Sequence, residues 1–157
     1  MRMAFAASAL LILSGCSYAV ATDAPVEASA AMAPDPDAPS LVRMNVADAE
    51  FQQLFPGVAV HFAYGGTGLG VPTGQLGRID AGLTFPAHSH SGDYRAVLIQ
   101  GRFQHWEEGD ADKGPIMLPG ATFFQGKNVD HYDSCLGPEQ CLVYVTFPEL
   151  ADVTLAE

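Results

Sequence analysis

Basic side chains are scarce in this sequence: seven Lys and Arg stand against 18 Asp and Glu, for a formal net charge of −11. The seven, Arg2, Arg43, Arg78, Arg95, Arg102, Lys113 and Lys127, are scattered, so no stripe exists to neutralise a row of phosphates. That argues against nucleic acid as a partner, and against anionic membrane surfaces for the same reason. Long apolar runs are also missing. The run from Met3 to Leu13 is too short to span a bilayer. Only three cysteines occur, an odd number, so no intrachain pairing can use them all. What is abundant is apolar: 48% of the 157 residues are hydrophobic and only 16% charged, the composition of a globular chain with a real core and not of a disordered one.

The chain divides into three parts. Residues 1–15 carry one positive charge at Arg2, an apolar stretch and then small residues, the proportions of a secretory signal. Their end, Leu13-Ser14-Gly15-Cys16, resembles the lipobox of bacterial lipoproteins. The resemblance implies cleavage before Cys16 and lipidation of that cysteine, with Ser17 directing the protein to the outer membrane, facing the periplasm. The alternative is an ordinary signal peptide cleaved near Ala19-Val20-Ala21. Residues 16–40 are rich in Ala, Pro, Asp and Ser without a repeating apolar face, and read as a disordered tether, because closely spaced prolines favour extended, solvated backbone. Residues 41–157 form the folded domain and carry 14 acidic and 6 basic side chains.

Within that domain, short apolar or alternating runs recur at Val58–Tyr64, Gln75–Leu83, Tyr94–Ile99, Arg102–Trp106, Ala121–Phe124, His131–Cys135 and Leu142–Phe147, separated by Gly- and Pro-containing turns. Runs of about five residues at about ten-residue spacing leave no room for helical crossovers and predict an all-β sandwich or barrel. A short N-terminal helix is compatible with Asp48–Leu54. No internal repeat is visible.

Five histidines are present, at positions 61, 88, 90, 105 and 131. On a strand, residues i and i+2 share a face, so His88 and His90 would project two imidazoles side by side, the start of a divalent-metal site that needs a further ligand from a neighbouring strand. His61 and His105 read as non-ligands, with His105 on a pocket wall or an outer face.

The stretch Gly82-Leu-Thr-Phe-Pro-Ala-His88-Ser-His90-Ser-Gly-Asp-Tyr94-Arg-Ala-Val-Leu-Ile-Gln-Gly101 follows the first cupin motif, G(X)5HXH(X)3E(X)6G, in every spacing. Tyr94 stands where the family usually has a metal-binding glutamate. The second motif, usually G(X)5PXG(X)2H(X)3N, is matched more loosely: Gly114, Pro119, Gly120, Gly126 and His131 supply its glycines, proline and histidine, and Cys135 stands near the usual asparagine. The domain resembles the small cupins grouped with the anti-sigma factor ChrR and a DUF4437-type group. This resemblance implies a cupin double-stranded β-helix, a jelly-roll barrel of the RmlC type, whose mouth holds a divalent transition metal (Fe, Mn, Ni or Zn). His88, His90 and His131 carry over as ligands; the fourth position falls to Tyr94 as a phenol, or to Asp93, one residue out of register. Tyr94, Gln100, Phe124, Gln125 and Asp133 are candidate pocket contacts.

Cys135 and Cys141 flank a five-residue loop containing Gly137-Pro138, and in an exported chain a disulfide between them is the expected state. Two functional classes follow. One is a metalloenzyme acting on a small molecule, such as a dioxygenase or isomerase; the other is a binding or sensing module without turnover. A small-molecule ligand is the expected partner in both, and a homodimer is compatible with either.

Overall fold

In the computed structural model, which describes residues 41–156, the chain is built from ten strands in two antiparallel sheets. In chain order these are β1 (Gln52–Phe55), β2 (Val58–Tyr64), β3 (Thr73–Ile79), β4 (Thr84–Ser89), β5 (Tyr94–Gln100), β6 (Phe103–Glu107), β7 (Thr122–Gln125), β8 (His131–Cys135), β9 (Cys141–Phe147) and β10 (Thr154–Leu155). One sheet has the order β1-β2-β3-β9-β5-β7 and the other β10-β4-β8-β6. This is the all-β jelly roll expected from the sequence. The expected signal peptide, lipidation at Cys16 and tether lie outside the described residues.

Strand alternation builds the interior. Along β5, Tyr94, Ala96 and Leu98 are buried while Arg95 and Ile99 face outward, so one face of the strand enters the core and the other meets solvent. Leu98 packs with Phe103, Val143 and Phe147 in the main core cluster. At β7 the same rule puts Gln125 inside and leaves Phe124 54% exposed. Phe124 therefore does not enter the space between the sheets: it lies under Arg95 on the outer face, while its neighbour Phe123 faces inward beside Phe103.

The expected helix at Asp48–Leu54 is absent. A three-residue 3-10 turn, Val46–Asp48, is followed three residues later by β1, which pairs antiparallel with β2 around Gly57. Seven residues provide too few hydrogen bonds to offset helix nucleation, whereas the hairpin gains a ladder and sets Phe55 against Phe85, ring centroids 5.0 Å apart. β4 stands outside the apolar runs, although the His88–His90 spacing already puts two imidazoles on a strand, and its register with β8 breaks between Phe85 and His88.

Cys135 ends β8 and Cys141 begins β9, so their disulfide joins the two sheets, with Cα atoms 5.6 Å apart and both residues fully buried. Gly101 makes this junction possible. It sits at φ +92°, and a Cβ there would lie 2.7 Å from Cys141 Sγ and 2.9 Å from the Gln140 carbonyl oxygen.

Candidate metal centre

Three imidazoles meet where β4 and β8 pair. His88 and His131 are register partners across the two strands, and His90 is the first residue beyond β4. Each ring is tied by Nδ1 to a backbone carbonyl: His88 to Pro86 and His131 to Val129, both at 2.9 Å, and His90 to Asp152. A carbonyl only accepts, so each Nδ1 carries the proton and each Nε2 keeps its lone pair. One ring nitrogen from each of the three lies within 4.8 Å of the others. Backbone-anchored Nδ1 with an unprotonated Nε2 is the tautomer of metal-ligating histidine.

The electrostatics favour the same state. Burial lowers the pKa of His88 and of His90, against the opposing pull of Asp133 on the first and the Asp152 carbonyl on the second. Burial and the neighbouring His88 bring His131 down from 6.5 to about 4. All three rings are thus neutral at physiological pH, the form that binds a metal.

Tyr94 opens β5 in the opposite sheet, yet its hydroxyl reaches 3.2 Å from His131 Nε2 and donates to it. Burial and the Asp133 charge push this phenol well above its ordinary value, so it remains protonated. Asp93 is turned away: its Oδ1 accepts the Lys127 amide at 2.8 Å.

The carboxylate that does face the cluster is Asp133, on the same face of β8 as His131. Its Oδ2 is 3.6 Å from His88 Nε2 and its Oδ1 accepts from His105 Nδ1 at 2.8 Å. His105 Nε2 lies 2.7 Å from Gln125 Oε1, and the Gln125 amide is oriented by its Nε2 donating to Glu107 Oε1 at 3.1 Å. Both ring nitrogens of His105 therefore face acceptors and both carry protons. Burial opposes that charge, but the hydrogen bond and charge of Asp133 outweigh it and raise the His105 pKa. Burial would likewise raise the Asp133 carboxyl; the His105 hydrogen bond and the surrounding imidazoles hold it below its ordinary value. His105 lies on the pocket side, with no lone pair to offer an ion. His61 is remote from the cluster and bonds to the Glu50 carbonyl.

His88 and His90 open onto a cavity of about 180 Å³ walled by Val58, Val60, Phe85, Phe123, Val143 and Val145, with Tyr94 and Asp133 beside them and Thr67, Gln75 and Asp152 adding to the polar lining. Gln125 reaches this region through His105. Gln100 does not: at the far end of β5, it bonds to the Gln140 carbonyl and borders a separate surface recess. A strand positions its last residue about 20 Å from its first, so Tyr94 and Gln100 cannot share one pocket.

No protein-family model and no curated protein matches the sequence. Solved structures do. The chain is similar to KdgF from Halomonas sp. (19% identity, TM-score 0.54, covering 66% of this chain and 92% of that one). It is also similar to an RmlC-like cupin from Shewanella frigidimarina (18% identity, TM-score 0.55, covering 69% and 89%). A third similarity is to the DMSP lyase DddQ from Ruegeria pomeroyi (17% identity, TM-score 0.57), where the match covers 70% of this chain and 62% of that one. The two antiparallel sheets, the histidines at the barrel mouth and these similarities together identify the fold of residues 41–156 as that of the RmlC-like cupins.

Proposed function

We propose that this protein is a metal-dependent cupin enzyme that acts on a small, largely apolar molecule bound between the sheets. The observation that carries the reading is the shared tautomer of His88, His90 and His131, each anchored through Nδ1 with Nε2 unprotonated; on His131 an ion would displace the Tyr94 hydroxyl that Nε2 accepts. A divalent transition metal bound there would supply Lewis-acid polarisation of a substrate oxygen or, as iron, access to O₂. The protein's own groups do the rest. Valine and phenylalanine walls exclude water, and a cavity of about 180 Å³ suits a molecule near the size of a benzene ring. The Tyr94 hydroxyl, protonated and aimed at the cluster, is placed to donate to an oxygen of the bound molecule. The DMSP lyase among the similar structures supports a lyase reaction as one form this chemistry could take.

Metal analysis of protein purified without an affinity tag tests the proposal: about one equivalent of a transition metal is expected, lost in His88→Ala and His131→Ala. Metal-free wild type together with unchanged stability of both variants would sink it. With metal present, O₂ uptake and product formation across small phenols and diketones separate turnover from a sensing role.

We also propose that the domain is exported and held at the bacterial outer membrane by lipid on Cys16. The buried Cys135–Cys141 disulfide supports an oxidising compartment. Replacing Cys16 by Ser should release the protein from membranes, and persistent association would refute the anchor.

A further inference from the structure

The geometry points to Asp133 as the fourth protein ligand of this metal centre, taking from β8 the place of the carboxylate that the β5 position of Tyr94 lacks. This rests on the three-histidine reading above. Two atoms that each sit about 2.0–2.2 Å from one ion lie roughly 3–4.4 Å apart, depending on the angle between them. Asp133 Oδ2 and His88 Nε2 are 3.6 Å apart, inside that span. The ladder explains the placement. His131 and Asp133 are i and i+2 on β8 and share a face, and His131 is paired with His88. One strand thus delivers an imidazole and a carboxylate to the same side of the cluster; in this geometry Asp133 groups with His131 and His105 and not with all three of His88, His90 and His131, so ligation requires its Oδ2 to move toward the ion.

The opposite oxygen is already committed, and in the way a ligating carboxylate is normally oriented. Oδ1 is held by His105, which is held by Gln125, which is held by Glu107, a chain with contacts of 2.8, 2.7 and 3.1 Å. Outer partners of this kind fix a ligand's direction and are needed for tight binding. Asp133 therefore has one oxygen locked and one aimed at the histidines. Tyr94 must give up its proton to ligate, and an ion held by His131 Nε2 displaces the hydrogen bond that the hydroxyl donates there. Asp93 is spent on the Lys127 amide. With Asp133 the donor set is three neutral imidazoles and one carboxylate, which suits a divalent ion of borderline softness. The Tyr94 phenol then stays free to contact the bound small molecule.

Cobalt(II) titration of the chelator-treated full domain provides the test, read by its visible d–d absorption and by competition with a chelator of known affinity. Wild type should take up one equivalent. In Asp133→Asn the affinity should fall about 100-fold or more, beyond what loss of an outer partner alone costs, and the absorption bands should move. Tyr94→Phe should keep the wild-type bands, with affinity within a few-fold. Wild-type bands and affinity in Asp133→Asn would overturn the assignment, as would Tyr94→Phe displacing the bands while Asp133→Asn does not. Failure of wild type to bind cobalt would instead overturn the three-histidine reading on which it rests. Should Asp133→Asn not fold, anomalous diffraction from zinc-loaded wild-type crystals decides: Asp133 Oδ2 about 2 Å from the ion supports the assignment, and a separation beyond about 3 Å overturns it.

Discussion

Acidifying the metal-free protein should destabilise it, and His131 sets the scale. Its pKa falls from 6.5 unfolded to about 4 folded, because the ring is buried and faces His88. A depressed folded-state pKa means that the unfolded chain binds protons first. The associated stability is fully present above about pH 6.5 and is lost progressively as the pH falls toward 4. By linkage, moving from pH 7.5 to 5 removes about 2 kcal/mol through this one residue. His88 and His90 are shifted in the same direction and add to the loss. His105 works the other way: its raised pKa gives stability that is complete below about 6.5 and fades at higher pH, so it offsets part of the change. Asp133, shifted down, gives stability that is fully present above its ordinary value of 3.8 and is lost only below it, outside this window. Urea unfolding followed by the single tryptophan, Trp106, which stacks on Tyr132 at 5.2 Å, measures the difference. With an m-value of about 1–2 kcal/mol/M the midpoint should move by roughly 1–2 M. The replacement His131→Gln should shrink the pH-dependent loss by about 2 kcal/mol. An equal loss in that variant, or no loss in wild type, would refute the reasoning.

Saturating metal should reverse the acid sensitivity near neutrality: zinc at a hundred times its dissociation constant adds about 2.7 kcal/mol, read as a higher urea midpoint, and the gain should vanish in His90→Ala. Reduction of Cys135–Cys141, or Cys135→Ser with Cys141→Ser, should lower stability by about 2 kcal/mol, the chain-entropy value for a sequence separation of 6. Leu98→Ala empties a fully buried position in the main core cluster and should cost about 2–5 kcal/mol by urea or thermal unfolding. Gly101→Ala places a Cβ 2.7 Å from Cys141 Sγ at a positive φ, so a loss of about 1–3 kcal/mol is expected in the same assay.

The fold was legible because its signals are local. β2 and β8 coincide with apolar or alternating runs bounded by turns, and β5 and β9 each extend their run by one residue at one end. The errors arose where local and tertiary preferences part. Phe51–Phe55 has no turn signal before it and too few residues to declare a period, and the hairpin with β2 decides its state. Pro86 lies inside β4, and a proline within a run argues against a strand unless a register break accommodates it, as happens between Phe85 and His88.

The centre was legible only in part, for a physical reason. His88 and His90 announce themselves by spacing along one segment, and His131 by its family motif, but the partners that set their tautomers are backbone carbonyls, which no side-chain pattern records. The carboxylate is the instructive case. A search confined to the segment after His90 offers Tyr94 and Asp93, because it assumes that the fourth group arrives from β5. Strand phase contained a different answer: His131 and Asp133 are two residues apart, just as His88 and His90 are, and pairing of β4 with β8 turns two i, i+2 pairs into one cluster. Periodicity does not tell which strands will meet, and the motif resemblance brings His131 to His88 and His90 without a carboxylate from its own strand, so His-x-Asp on β8 gains its meaning from the pairing of His88 with His131. The same logic explains His105, which was read as a non-ligand on either a wall or an outer face. Its partner Asp133 is across the β6–β8 ladder and its partner Gln125 comes from β7 in the other sheet, so its inward position depends on two contacts far apart in sequence.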